Sequence, residues 1–170
     1  MRTEHTLSDQ DSQSGLMQPL FLRLFAYDLW ASRRAYASLA ELREPPAKAV
    51  EWLGHIVLSQ RFVFEVLNGR DASLMTELPE PPLKECSEWI ERLGADWRSH
   101  LMARTEEDLA GEIEFRNSRG VMDKRRVADL LIHAVTHSTY HRGQIALAVR
   151  EAGGEPAGTD FTIFMREQHP

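Results

Sequence analysis

Cysteine is nearly absent from this chain: Cys86 is the single one among 170 residues. That excludes an intramolecular disulfide and a zinc cluster built on thiolates. Also missing is any run of about eighteen apolar residues, the minimum for a membrane-spanning helix, so no membrane partner is expected. Basic residues are outnumbered, and the formal net charge is −6. No basic stripe offsets it, which argues against a nucleic-acid backbone as the main partner. The short clusters Arg33-Arg34 and Lys124-Arg125-Arg126 read as solvated helix ends. Three catalytic signatures are missing too: HExxH, a glycine-rich phosphate loop and a serine-nucleophile elbow. The first fifteen residues are polar and have no apolar signal-peptide centre. They read as a disordered tail of a cytoplasmic protein, leaving residues 16–170 as one domain. A hydrophobic content of 42% and a charged content of 27% are ordinary for such a domain.

What the chain does have is histidine in a repeated spacing. His133, His137 and His141 follow one another at four-residue steps in Leu130-Leu-Ile-His-Ala-Val-Thr-His-Ser-Thr-Tyr-His-Arg-Gly-Gln144. Four residues are slightly more than one helical turn, so two such rings lie on one helix face and can reach one metal ion. At 100° per residue, Val127, Leu130, Leu131, Ala134, Ser138, Ile145, Ala148 and Val149 form an apolar or small-residue arc. His137 and His141 fall inside it. His133 falls on its flank, beside Tyr140 and Gln144. Each buried neutral ring must satisfy one donor and one acceptor nitrogen. A backbone carbonyl can do half of that for each ring; a shared metal does it for both rings at once. Both readings are open from this segment alone.

Four long helical patterns organise the rest, and no internal repeat is found. They cover about Met17–Leu42, Pro46–Leu67, Leu83–Arg104 and Arg126–Ala152. Pro45-Pro46, Asn68-Gly69 and Gly153-Gly154 mark their limits. A proline-rich connection with Pro79, Pro81 and Pro82 separates the second from the third. Cys86 continues an apolar stripe with Ile90, Leu93, Trp97 and Leu101, as a small buried hydrophobe. Glu112–Arg116 alternates with period two and suggests a short hairpin over one end, although a loop fits nearly as well. Phe161–Met165 is apolar enough to pack back on the helices. This is an all-α pattern, a four-helix bundle with one short β-hairpin. The second helix has a narrow charged side, Glu51, Gly54, Arg61 and Glu65, and apolar residues over more than half its circumference. That surplus suggests a second neighbour, and a homodimer is expected. His55 lies on its apolar side, one turn beyond Trp52. It is the outstanding third ligand for His137 and His141, because bundle interiors build metal sites from facing helices.

His137-Ser-Thr-Tyr-His-Arg-Gly-Gln144 resembles the signature of the DinB/YfiT-like family of four-helix-bundle metalloenzymes. Three further segments match in type and order. Ala26-Tyr-Asp-Leu-Trp-Ala31 is similar to the family's Tyr-Asn-x-Trp-Ala segment. Leu53-Gly-His-Ile56 sits where the family has its first metal histidine, and Thr159-Asp-Phe-Thr-Ile-Phe164 resembles its closing segment. Asp28 departs from the family pattern, which usually has asparagine there. The resemblance runs from about Gln18 to Glu167. It implies an up-down-down-up bundle, often a homodimer, and a divalent metal on His55, His137 and His141. His133 matches a common family histidine that is not one of the usual ligands. Tyr140 and Gln144 could support the site or form an ordinary helix shoulder.

Three neutral imidazoles suit zinc, nickel or a similar divalent metal and leave at least one position open. Relatives of the fold include thiol-dependent transferases and isomerases. The first expectation is therefore a metal-dependent thiol S-transferase taking a small-molecule thiol and an electrophilic substrate; hydrolysis is the other metal-dependent reaction in view. No catalytic residue is singled out. The alternative is a metal-stabilised bundle with a binding or stress-response role and no catalysis.

Overall fold

Prolines set the starts of two long helices. In the computed structural model, which describes residues 15–168, α1 spans Met17–Ala40, and α2 spans Ala47–Leu67 with Pro46 as its N-cap residue. Proline needs no backbone N–H there, and its fixed φ suits helix entry. Leu83–Met102 forms α3 behind Pro82. A short α4, Glu106–Ala110, is closed by a capping box in which Thr105 Oγ1 accepts from Asp108 N–H and Asp108 Oδ2 accepts from Thr105 N–H. Strands β1, Glu112–Arg116, and β2, Met122–Arg126, pair antiparallel before α5, Val127–Glu151, and α6, Phe161–Gln168. The expected hairpin is therefore present. Of the expected tail at residues 1–15, all but Gly15 lies outside the described residues. Among the described residues no helix is long and apolar enough to cross a membrane.

Contacts along the helices give their directions. Phe25 of α1 meets Trp97 of α3, and Gln18, seven residues earlier, bonds the Leu101 carbonyl, so these two run antiparallel. Phe64 meets Trp97 and Asn68 approaches His100, so α2 and α3 run parallel. His55 faces His137 while Gln60 reaches Ala134, which makes α2 and α5 antiparallel. The order is up-down-down-up, with α1 and α2 diagonal to one another. The parallel pair requires the chain to return along the bundle between α2 and α3. Residues 68–82, including a 3₁₀ turn at Ser73–Glu77, make that return.

The core confirms the apolar stripe of α3: Cys86, Ile90, Leu93, Trp97 and Leu101 are all buried. Phe164 of α6 is buried as well, and Tyr27, Phe161 and Phe164 form an aromatic cluster with Trp30. The charged side expected on α2 is not solvated throughout. Gly54 is buried against the returning chain, where a Cβ would come within 2.7 Å of Glu80 Cβ. Glu65 is also buried, paired with Arg61 and Arg70. Of the basic clusters, the first is not a helix end, and the second closes at Arg126, the N-cap residue of α5. Arg33 and Arg34 lie within α1 and pair with Glu91 and Glu167, and residues 124–126 belong to β2.

His100 was not anticipated by the pattern of the sequence. It is buried beside Phe64 and Trp97, with Asn68 Oδ1 3.3 Å from its Nδ1. Burial, and then the Arg104 charge, pushes its imidazole down to about 4. An unfolded histidine titrates near 6.5, at about pH 6.5. Between those values the unfolded chain binds more protons, so stability is full above about pH 6.5 and falls as the pH drops toward 4. Urea unfolding should show a loss on the order of 2 kcal/mol by pH 4.5. His100→Gln should flatten that slope; an unchanged slope in the variant would assign the acid loss elsewhere.

Candidate metal centre

The face that α5 presents to the bundle is centred nearer Val135 and Arg142 than the apolar arc suggested. Leu131, Ala134, Val135, Ser138, Arg142, Ile145 and Val149 are buried. His137 and His141 are half-buried at the rim of that face rather than within it, and His133 is exposed. The cause lies across the bundle. Arg142 Nη1 donates to Asp28 Oδ1 of α1 at 2.6 Å and lies 3.2 Å from Ser32 Oγ, while Nη2 donates to Thr139 Oγ1 at 2.9 Å. Its side chain is 1% exposed, the largest fully buried side chain among the described residues. Gln60 of α2 completes the network, donating to Asp28 Oδ2 at 2.9 Å and to Ser138 Oγ at 3.0 Å. Asp28 thus has a definite place: it ties α1 to α5 and, through Gln60, to α2.

On α5 the network's Ser138 and Arg142 each directly follow one of the rings, His137 and His141. His55 of α2 brings Nε2 to 3.0 Å from Nε2 of His137. The ring centroids of His55 and His141 are 4.8 Å apart, and those of His137 and His141 are 4.6 Å apart. Each of the three offers a nitrogen, all within 4.8 Å of one another, an arrangement that could hold a metal ion. Burial and then the neighbouring rings lower the His137 imidazole to about 4. Burial, followed by His141, lowers His55. Both rings are held neutral, the state in which a ring nitrogen has a free lone pair.

The residues fit a metal better than they fit the carbonyl-bonded alternative. Among the described residues no hydrogen bond joins any of the three rings to a backbone carbonyl; the partners are other side chains. His141 Nδ1 lies 2.7 Å from Gln144 Oε1, to which it can donate its proton and so leave Nε2 free. Gln144 therefore supports the cluster. Tyr140 is 64% exposed, with its ring edge-on to His141 and its hydroxyl 3.4 Å from Gln144 Nε2. His133 stacks on His137, centroids 5.2 Å apart, and contributes no nitrogen to the cluster.

Beside the rings opens a cleft of about 510 Å³, bounded by α2, the hairpin and the first half of α5. His55, His137 and His133 lie along it with Phe62, Phe115 and Arg125. The hairpin residues escaped the sequence reading as site residues. Only the inward phase of Ile113 and Phe115 in the alternating stretch could have flagged them.

Fold and cluster together define a helical bundle with convergent histidines from α2 and α5 opening on a cleft. The DinB family profile matches residues 18–170. Protein DinB of Bacillus subtilis is 32% identical over 168 residues, covering 88% of this chain and 95% of that protein. The chain belongs to the DinB family. A crystal structure of a DinB-like protein from Bacillus cereus superposes with a TM-score of 0.62 at 18% identity, covering 81% of this chain and 94% of that one. At that identity the likeness speaks for the fold alone.

Proposed function

We propose that this chain is a metal-dependent enzyme, with zinc or nickel held by His55, His137 and His141, that transfers a small-molecule thiol to an electrophile. The observation that carries this reading is the set of three convergent rings at the edge of an open cleft, with no fourth His, Cys, Asp or Glu in the cluster among the described residues. A purely structural zinc site would be closed by a fourth protein ligand. When bound, a divalent ion here would lower the pKa of a thiol and supply a nucleophile at neutral pH.

The chain's own residues do the rest. Gln144 holds His141 in one tautomer, and the network of Asp28, Arg142 and Gln60 fixes α5 against α2. The cleft admits the two reactants from the side of His133 and the hairpin. In the transfer the thiol loses its proton, a sulfur–carbon bond forms and the electrophile's leaving group departs with its electron pair. Cys86 cannot be that thiol. It is fully buried, and burial followed by the Glu85 charge pushes it up to about 11.

Metal analysis of the purified protein should find about one divalent ion per chain, and a panel of thiols with a dinitrophenyl halide should show turnover that a chelator abolishes. Cobalt-substituted protein should change its visible spectrum when thiol is added. A spectrum indifferent to every thiol, with no turnover, would leave a metal-stabilised bundle with a binding role as the better reading.

We also propose a homodimer. Part of the apolar surplus of α2 is covered within the chain, by Phe115 against Phe62. The supporting surface is instead the outer side of α5, where Ile132, Tyr140 and Leu147 are 47%, 64% and 54% exposed. A dimer burying more than about 1,000 Å² in total is expected. Light scattering at micromolar concentration checks it, and a monomer mass would refute it.

A further inference from the structure

The hairpin's two inward side chains have different fates. Ile113 packs against the hydrophobic core, but Phe115, two residues on, is not part of that packing. It leans over the cleft, half-buried, against the half-buried Phe62 of α2. The two rings are 6.4 Å apart between centroids and inclined at 72°, an L-shaped corner. Val63 and Leu130 extend the apolar wall from α2 and α5. The hairpin's cation on the same side, Arg125, is paired with Asp123 at 3.0 Å. A half-buried aromatic corner beside a reactive centre has a physical consequence. A flat π-surface can stack on one ring while taking the edge of the other, and both geometries are favourable. Pockets for small molecules are typically of this kind, apolar walls with a few polar groups at one end.

We infer that the corner formed by Phe62 and Phe115 is a binding site for the uncharged, flat aromatic part of a substrate whose reacting end lies at the histidine cluster. This rests on the proposed function in one respect, that the cluster is the reactive end of the cleft. It adds the chemical class of the electrophile, an arene-bearing molecule, and two residues that select it. Phe62 and Phe115 are specificity residues here; the histidines are untouched by the claim.

The test uses the full chain loaded with zinc and the uncharged fluorescent probe phenylnaphthylamine, whose emission rises in an apolar site. Biphenyl and bicyclohexyl, which share a carbon skeleton but differ in flatness, serve as competitors. One site is expected, and biphenyl should displace the probe at a concentration at least about tenfold below that of bicyclohexyl. Phe62→Leu and Phe115→Leu keep an apolar side chain, and each should weaken the probe and erase the preference for biphenyl. Met102→Ser lies in the other apolar groove, between α1 and α3, and should change nothing. Binding that survives both leucine variants, or that Met102→Ser removes, overturns the inference, as does equal competition by the two hydrocarbons. The readout needs neither thiol nor turnover. Its failure therefore counts against the aromatic site alone, whereas missing transfer activity counts against the proposed function alone.

Discussion

Purified His137→Ala and His141→Ala proteins should come out largely free of divalent metal, while His133→Ala keeps most of it. Each of the first two substitutions leaves two imidazoles, where a stable site needs at least three protein ligands. His133 is exposed and touches the cluster only through its stack on His137, so it bears on the orientation of a neighbour. Loss of such an outer contact costs at most about 10–100-fold in metal affinity. Gln144→Ala belongs with His133→Ala in that order, because Gln144 meets the second nitrogen of His141. Mass-spectrometric metal content across the four variants checks the ranking. If His133→Ala empties the protein and His137→Ala does not, the ligand set must be redrawn around His133.

Removing either half of the buried pair of Asp28 and Arg142 should be the most damaging change outside the histidines. Asp28 is 6% exposed and Arg142 1%, and the two are joined at 2.6 Å. Burial works against both charges; it raises the Asp28 carboxyl, and the Arg142 guanidinium 2.6 Å away pulls it back. An Asp28→Ala protein keeps a guanidinium in the core without its counter-charge, and Arg142→Met strands a carboxylate. Either should lose about 3–5 kcal/mol of unfolding free energy, read from urea titrations. The double variant Asp28→Leu with Arg142→Met removes both charges and should recover most of that loss, since replacing a whole buried pair by apolar groups is often near neutral. Equal losses in the single and double variants would mean that the shape of the network, and not its charge balance, holds the helices. Asp28→Asn retains a partner for Gln60 and should fall between the extremes.

The helices, their limits and the three rings could be read from the chain because each rests on a local rule. Proline pairs and Asn68-Gly69 mark ends that depend on a few neighbouring residues; Gly69 takes φ +71° just past α2, a conformation that glycine adopts freely. Four-residue spacing places His137 above His141 whatever the tertiary fold. His55 could be matched to them because an imidazole on an apolar helix face is conspicuous. The departures have non-local causes. Helical phase alone put His137 and His141 inside the buried arc, but Arg142 is drawn to a carboxylate on α1, and that contact turns Arg142 inward and the rings to the rim. Arginine on a helix face reads as solvated until its partner is known. Gly54 and Glu65 of α2 read as one charged side, yet the chain returning from α2 to α3 covers the first and paired arginines enclose the second. The cleft was hidden for the same reason: it needs a hairpin folded over two helices from different parts of the chain.

Because α1 and α2 sit diagonally, α1 meets α2, the next helix along the chain, through little more than the hydrogen bond from Gln60 to Asp28. Its partners are α3, reached through Trp97 and Glu91, and α5, reached through Arg142. A nascent chain that has emerged only as far as Leu67 therefore exposes two amphipathic helices with little to bury against each other. Docking of α1 must wait until α3 has left the ribosome, and the polar network closes only when α5 follows. A bundle whose helices pack in chain order can assemble hairpin by hairpin; this one must first bring distant segments together, and loop closure over such separations slows folding. Refolding should accordingly be slower than for an up-down-up-down bundle of equal length, and chains halted before Arg142 should be the ones that chaperones and proteases meet.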